Sequence, residues 1–272
     1  YMVYFKHEKL SERIYRIIDI TGVCCYLVIG DDRACLLDTC NGIGNIKTYV
    51  EQMTDLPIIV ILTHGHLDHM GGAGLFDEVY MNHDDMPVFH KHGDMQFRIE
   101  DTNAHSPMQI DAEIFIPTYQ GDIQDIQDND CFDLGGITIQ MILVKGHTPG
   151  MMCPLIKEER TIIFGDACGV GVLLFDEFSS SVLDYQKSLI CLKEYENDYD
   201  IIYRNHGTFT SHKELLDNVI ECCDLILTRQ DAHFPILFHG IQLYACHETK
   251  TNGQGRRDGK EGNILYSLDK VK

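Results

Sequence analysis

The chain has 272 residues, 44% of them hydrophobic and 24% charged, enough to bury a sizeable core as one large domain or two ordinary ones. Its 22 Lys+Arg stand against 42 Asp+Glu, and the formal net charge of −20 repels phosphate backbones, which speaks against nucleic acid as a partner. A small anionic substrate is not excluded, because bound cations dominate the local field of a metal site.

There are 11 cysteines, an odd number without a repeating spacing, and Cys24–Cys25 and Cys222–Cys223 are adjacent pairs. That pattern suits reduced, buried thiols better than a disulfide framework. Tyr1 to Leu10 lacks the apolar core of a signal peptide, and no stretch approaches the roughly 20 apolar residues of a spanning helix. A cytoplasmic protein with no membrane partner is expected.

Three β-branched runs, Arg13–Ile20, Val23–Gly30 and Arg33–Asp38, are separated by Gly22 and by Gly30-Asp31-Asp32. They predict an antiparallel meander. Gly42 and Gly44 lead into a helix running through Met53, and Pro57 introduces Ile58–Leu62, a strand apolar enough to be buried on both faces. Further strands are expected at Ile137–Val144, Thr161–Phe164, Asp200–Tyr203 and Asn263–Leu268, with helices at Val182–Tyr195 and Lys213–Thr228. Ser211 and Glu214 form a capping signature for the second helix, whose Leu215, Val219, Cys223 and Leu227 share one stripe. A meander followed by alternating strands and helices predicts an α/β fold with two packed sheets and helices outside. A single domain over residues 1–272 is expected, with a surface insertion at 82–131 and a polar loop at 249–262.

The chemistry concentrates in Thr63-His64-Gly65-His66-Leu67-Asp68-His69, directly after a strand. Three imidazoles and a carboxylate turn toward one point only where the backbone leaves the extended state, and Gly65 permits that. Imidazole and carboxylate are ligands for zinc and its first-row neighbours. The pattern of strand, glycine and ligand repeats at Gly146-His147, Gly165-Asp166 and His206-Gly207.

HGHLDH, GHTPG, FGD and NHG, with LLDT at Leu36–Thr39, resemble the motifs of the metallo-β-lactamase superfamily over roughly residues 15–210. The resemblance implies an αββα sandwich, two mixed β-sheets flanked by helices with metals at the sheet edges. It also implies that His64, His66 and His147 bind one metal ion and that Asp68, His69 and His206 bind a second. Asp166 then bridges the two, and Asp38 supports the metal loop. Zinc is the default, and manganese or iron suits the same ligands. Two such ions about 3.5–4 Å apart share a water, lowering its pKa from about 16 toward roughly 7. Asp68 is expected both to bind metal and to orient that hydroxide.

The bridging aspartate resembles the glyoxalase II, lactonase and phosphodiesterase branches, so the expected reaction is hydrolysis of a small-molecule thioester, lactone or ester. The alternatives are a phosphodiesterase or nuclease, a β-lactamase-type amide hydrolase and a diiron oxidoreductase. His66, where flavodiiron-type reductases carry a carboxylate, speaks against the last of these. His83, His90, His92 and His105 are read as solvated, His212 as a surface residue and Cys168 as a buried thiol. One of His233, His239 and His247 remains a candidate for lining the cleft. Arg256, Arg257 and Lys260 are candidates either to grip an anionic substrate or to sit in a solvated loop.

Overall fold

The β-branched runs and their glycine turns build the first sheet as the sequence anticipates. The computed structural model describes residues 3–250 and 255–272. The chain divides into two compact units, Tyr1–Met141 with Asn205–Gly207, and Ile142–Arg204 with Thr208–Lys272.

In the first unit, β1 (Phe5–Lys9), β2 (Ile14–Asp19), β3 (Cys24–Ile29) and β4 (Ala34–Leu37) pair antiparallel in chain order. α1 (Ile46–Val50) starts at Asn45, whose side chain accepts from Thr48 N. It is shorter than expected, because residues 51–53 form a turn rather than a further helical repeat. β5 (Ile58–Ile61) pairs parallel with β4. After α2 (Leu67–Met70) comes β6 (Val79–Met81), parallel to β5. α3 (Met86–His92) and α4 (Met95–His105) then lead to β7 (Gln124–Asp125), parallel to β6. Parallel strands need crossovers that cover the sheet, so β4 and β5 read as nearly unbroken apolar runs. Leu36, Val60 and Val79 pack with Ile46, Val50, Met70 and Phe89 in one core. β8 (Cys131–Asp133) forms a hairpin with the start of β9 (Thr138–Leu143).

Residues 82–131 are more ordered than their polar composition suggests. They hold α3, α4 and buried Val88, Phe89, Ile110 and Phe115. Arg98, on α4, has no exposed surface.

In the second unit, β10 (Met152–Ile156) and β11 (Thr161–Ile163) form a hairpin. β12 (Val172–Leu174) and α5 (Val182–Lys193) precede β13 (Ile201–Tyr203), which lies parallel to β11. β14 (Thr210–Ser211) pairs antiparallel with β13, and α6 (Glu214–Thr228) follows. The hairpin of β15 (Phe234–Phe238) and β16 (Ile241–Ala245) and the last strand β17 (Ile264–Tyr266) complete a small sheet with β12. Leu215, Val219 and Cys223 of α6 are buried as the stripe requires, against Val182, Tyr185 and Leu189 of α5. Each aliphatic side chain buried there contributes about 1.5–3 kcal/mol.

The capping signature before α6 is a correction. Lys213 occupies the cap position without a side-chain bond, and Ser211, paired in β14, accepts from Arg204 Nε at 2.8 Å instead. Pairing in a sheet outcompetes a local cap. Residues 251–254 of the polar loop lie outside the described residues. Among the described residues, no helix is long and apolar enough to cross a membrane.

Candidate metal centre

Asp38 follows β4 with φ of 66°, a left-handed conformation that aspartate tolerates better than most residues. Its carboxylate is buried and accepts four hydrogen bonds. Thr63 N donates at 2.7 Å, Thr63 Oγ1 at 2.9 Å, His69 Nδ1 at 2.8 Å and Asn205 Nδ2 at 3.2 Å.

These bonds decide the tautomers. An ionised carboxylate only accepts, so His69 carries its proton on Nδ1 and turns an unprotonated Nε2 toward its neighbours. Thr63 Oγ1 gives its proton to Asp38 and therefore accepts from His64 Nδ1 at 3.1 Å, which makes His64 Nε2 the unprotonated nitrogen as well. Tying off one ring nitrogen in this way is how proteins orient imidazole ligands and raise their basicity.

The atoms opposite these anchors converge. His69 Nε2 lies 3.3 Å from His206 Nε2 and 3.7 Å from Asp68 Oδ2, and those two are 3.3 Å apart. Donors of a tetrahedral zinc-class ion with bonds of about 2.0–2.2 Å stand about 3.4 Å from one another. The triangle therefore has the size that suits such a cation, and electron-rich atoms held this close need a proton or a cation among them. His64 Nε2 is 3.0 Å from His66 Nδ1, a second such pair.

The loop is shaped by close approaches. A Cβ on Gly65 would fall 2.6 Å from Phe89 N, so only glycine lets the loop lie against α3, where Gly65 N donates to the buried Asp85 carboxylate at 2.8 Å. Arg98 closes the other end. Its Nη2 donates to the carbonyls of Asn41 (3.0 Å) and Gly71 (2.8 Å), and its Nη1 to Ile116 O and Thr118 Oγ1. Burial pulls the guanidinium down to about 10, still a cation at neutral pH.

In the second unit, His147 Nδ1 donates to Leu173 O at 3.1 Å, which makes Nε2 the unprotonated nitrogen, 3.6 Å from Asp166 Oδ2. A Cβ on Gly146 would fall 2.1 Å from the Tyr185 ring, and Tyr185 in turn donates its hydroxyl to Ala167 O at 2.5 Å beside Asp166. The device of the first unit thus recurs, with one ring nitrogen anchored on the backbone and the other beside a carboxylate.

A profile of the metallo-beta-lactamase superfamily matches residues 19–204, well over half of the chain. This chain belongs to that superfamily. Among relatives, it is 23% identical to the acyl-coenzyme A thioesterase MBLAC2 of Bos taurus over 65% of this chain and 68% of that protein. It is 25% identical to the atrochrysone carboxyl ACP thioesterase dmxR1 of Cryptosporiopsis sp. over 75% of this chain and 59% of that protein. The chain spans about half to two thirds of the length of several curated relatives it matches. A metallo-beta-lactamase from Pontibacter korlensis superimposes with a TM-score of 0.61 at 13% identity, covering 80% of this chain and 97% of that one. The fold is thus the α/β fold of the superfamily, with mixed sheets flanked by helices.

The structure also places the residues outside the superfamily motifs. His83, His90, His105 and His212 are exposed, as expected. His92 is only partly exposed. Its ring packs on that of His66 at 4.4 Å and edge-on to Phe97 at 5.2 Å. The sequence around His92 carries no signal for this, since a loop distant in sequence supplies the first ring and the next helix the second. His233 stacks on Tyr244 at 3.8 Å, and His239 stacks on Phe238 at 4.0 Å. Arg256 is buried, paired with Asp258 and bonded to Gly262 O, so its role is to hold the loop. Arg257 and Lys260 make exposed ion pairs with Glu248 and Glu221. Cys168 is buried, and burial pushes its thiol well up.

Proposed function

We propose that this chain is a binuclear metal-dependent hydrolase of small-molecule thioesters. The observation that carries the reading is the Asp68–His69–His206 triangle, with the His69 lone pair fixed by Asp38 and a spacing that suits a first-row cation. On the assignment by motif, His64, His66 and His147 would hold one ion, Asp68, His69 and His206 would hold the second, and Asp166 would serve both. Zinc is the first choice for this donor set, and manganese or iron is compatible with it. Bound there, two divalent ions would make hydroxide available at neutral pH and polarise a carbonyl. Asp68 accepts a hydrogen bond from the attacking water and aims it. Asp38 and Thr63 keep His69 and His64 in the tautomers that present Nε2.

The names of MBLAC2 and dmxR1 support a thioester over an ester or lactone, since both are thioesterases. A thiolate is also the better leaving group. The eleven cysteines stand as thiols rather than disulfides, nine of them buried, which supports a reducing, cytoplasmic setting.

A panel of acyl-coenzyme A thioesters, lactones, aryl esters, a phosphodiester and a β-lactam tests the reading. The expected result is kcat/KM on the best thioester about 10²-fold above that on the phosphodiester or the β-lactam. A phosphodiester at the top of the ranking would replace the thioesterase reading with a phosphodiesterase.

A further inference from the structure

We propose that Cys222, Cys246 and His247 form a further metal site in the second unit, for a thiophilic ion of the zinc class. Cys222 lies on the buried stripe of α6, and Cys246 and His247 follow β16 directly. Both cysteines are fully buried. Their sulfurs and one ring nitrogen of His247 all lie within 4.8 Å of one another. Donors around a tetrahedral zinc with bonds of about 2.3 Å to sulfur stand about 3.8 Å apart, so a contraction of about 1 Å closes the site.

Two independent features point the same way. Asn263, itself buried, grips the main chain of His247 at both ends, with His247 N donating to Asn263 Oδ1 at 3.0 Å and Asn263 Nδ2 donating to His247 O at 3.0 Å. This fixes the imidazole on its strand end. The Nε2 atom of His247 is buried without a hydrogen-bond partner among the described residues, a state that proteins seldom leave uncompensated. The thiols touch main-chain carbonyls at long range, Cys222 Sγ to Gly262 O at 3.8 Å and Cys246 Sγ to Cys222 O at 3.6 Å, and the Cys222 side chain also meets those of Cys246 and His247.

The charges balance. On binding, the two thiols release their protons to solvent, two sulfur–metal bonds form, and the dication with two thiolates and a neutral imidazole carries no net charge. Buried Arg256 is already neutralised by Asp258. Two thiolates and one imidazole leave a fourth position for water, and soft sulfur ligands select zinc over magnesium or calcium.

Cobalt substitution in the full chain tests the site. The histidine and aspartate ligands proposed for the hydrolytic centre of this chain contain no sulfur, so a sulfur-to-cobalt charge-transfer band in the near ultraviolet reports cysteine ligation. The expected result is a band whose intensity at full cobalt loading corresponds to one sulfur-bound Co²⁺ per chain, is bleached by excess Zn²⁺, and survives in Cys223→Ala. It should be absent in Cys246→Ala and weakened at least about tenfold in His247→Gln, with thioester hydrolysis by His247→Gln unchanged. No such band in the cobalt-saturated wild-type chain, or an undiminished band in Cys246→Ala, would overturn the proposal. The hydrolase reading stands or falls separately, on substrate turnover.

Discussion

Asp166→Asn should lower kcat by about 10²-fold or more while leaving the fold intact by circular dichroism. Asparagine keeps the shape of the side chain and removes its charge. Loss of a supporting group near a metal already costs about 10–100-fold, and Asp166 is proposed to be a direct ligand shared by both ions. Its carboxylate sits 3.6 Å from Nε2 of His147, so the substitution also removes a negative charge beside that imidazole. Metal content should fall with kcat, and excess metal should restore only part of the rate, because refilling the site does not restore the charge. Wild-type kcat with unchanged metal content would make Asp166 a bystander and favour a mononuclear centre.

The second large effect is on stability. Arg98→Met should destabilise the protein by about 3 kcal/mol or more, read as a lowered denaturant midpoint. Methionine replaces the buried stem but donates nothing, so the carbonyls of Asn41, Gly71 and Ile116 lose their donor. Each buried acceptor left unsatisfied costs about 1–3 kcal/mol. Gly71 ends α2, the short helix that carries Asp68 and His69, so metal affinity should weaken as well. An unchanged midpoint would show that water satisfies those carbonyls and that the guanidinium clamp is dispensable.

Arg98 also marks the limit of what the sequence discloses. The four candidate ligands of the HGHLDH run are neighbours in the chain, and Gly65 among them announces the loop, so that part of the candidate site is legible from adjacency alone. The meander was legible because glycine turns punctuate β-branched runs. An arginine in a polar helix, by contrast, reads as solvated, and only the tertiary fold brings four acceptors around it. His92 was misread for the same reason, since its partner His66 lies 26 residues away. In the sequence Cys222 and Cys246 read only as two of eleven reduced thiols and His247 as a candidate for lining the cleft; the fold gathers them from a helix and a strand end. The capping signature at Ser211 failed in the opposite direction, a strong local pattern overruled by strand pairing. Short-range chemistry was readable, and interactions between distant segments were not.

The central claim is that the histidine and aspartate set holds metal and that hydrolysis depends on it. The most direct test measures metal content by elemental analysis alongside thioester turnover, in the Cys246→Ala background, which silences the cysteine site. Two transition-metal ions per chain are expected, with activity lost on chelation and regained on adding Zn²⁺, and both quantities falling together in His69→Ala. A metal-free preparation with full activity would contradict the account.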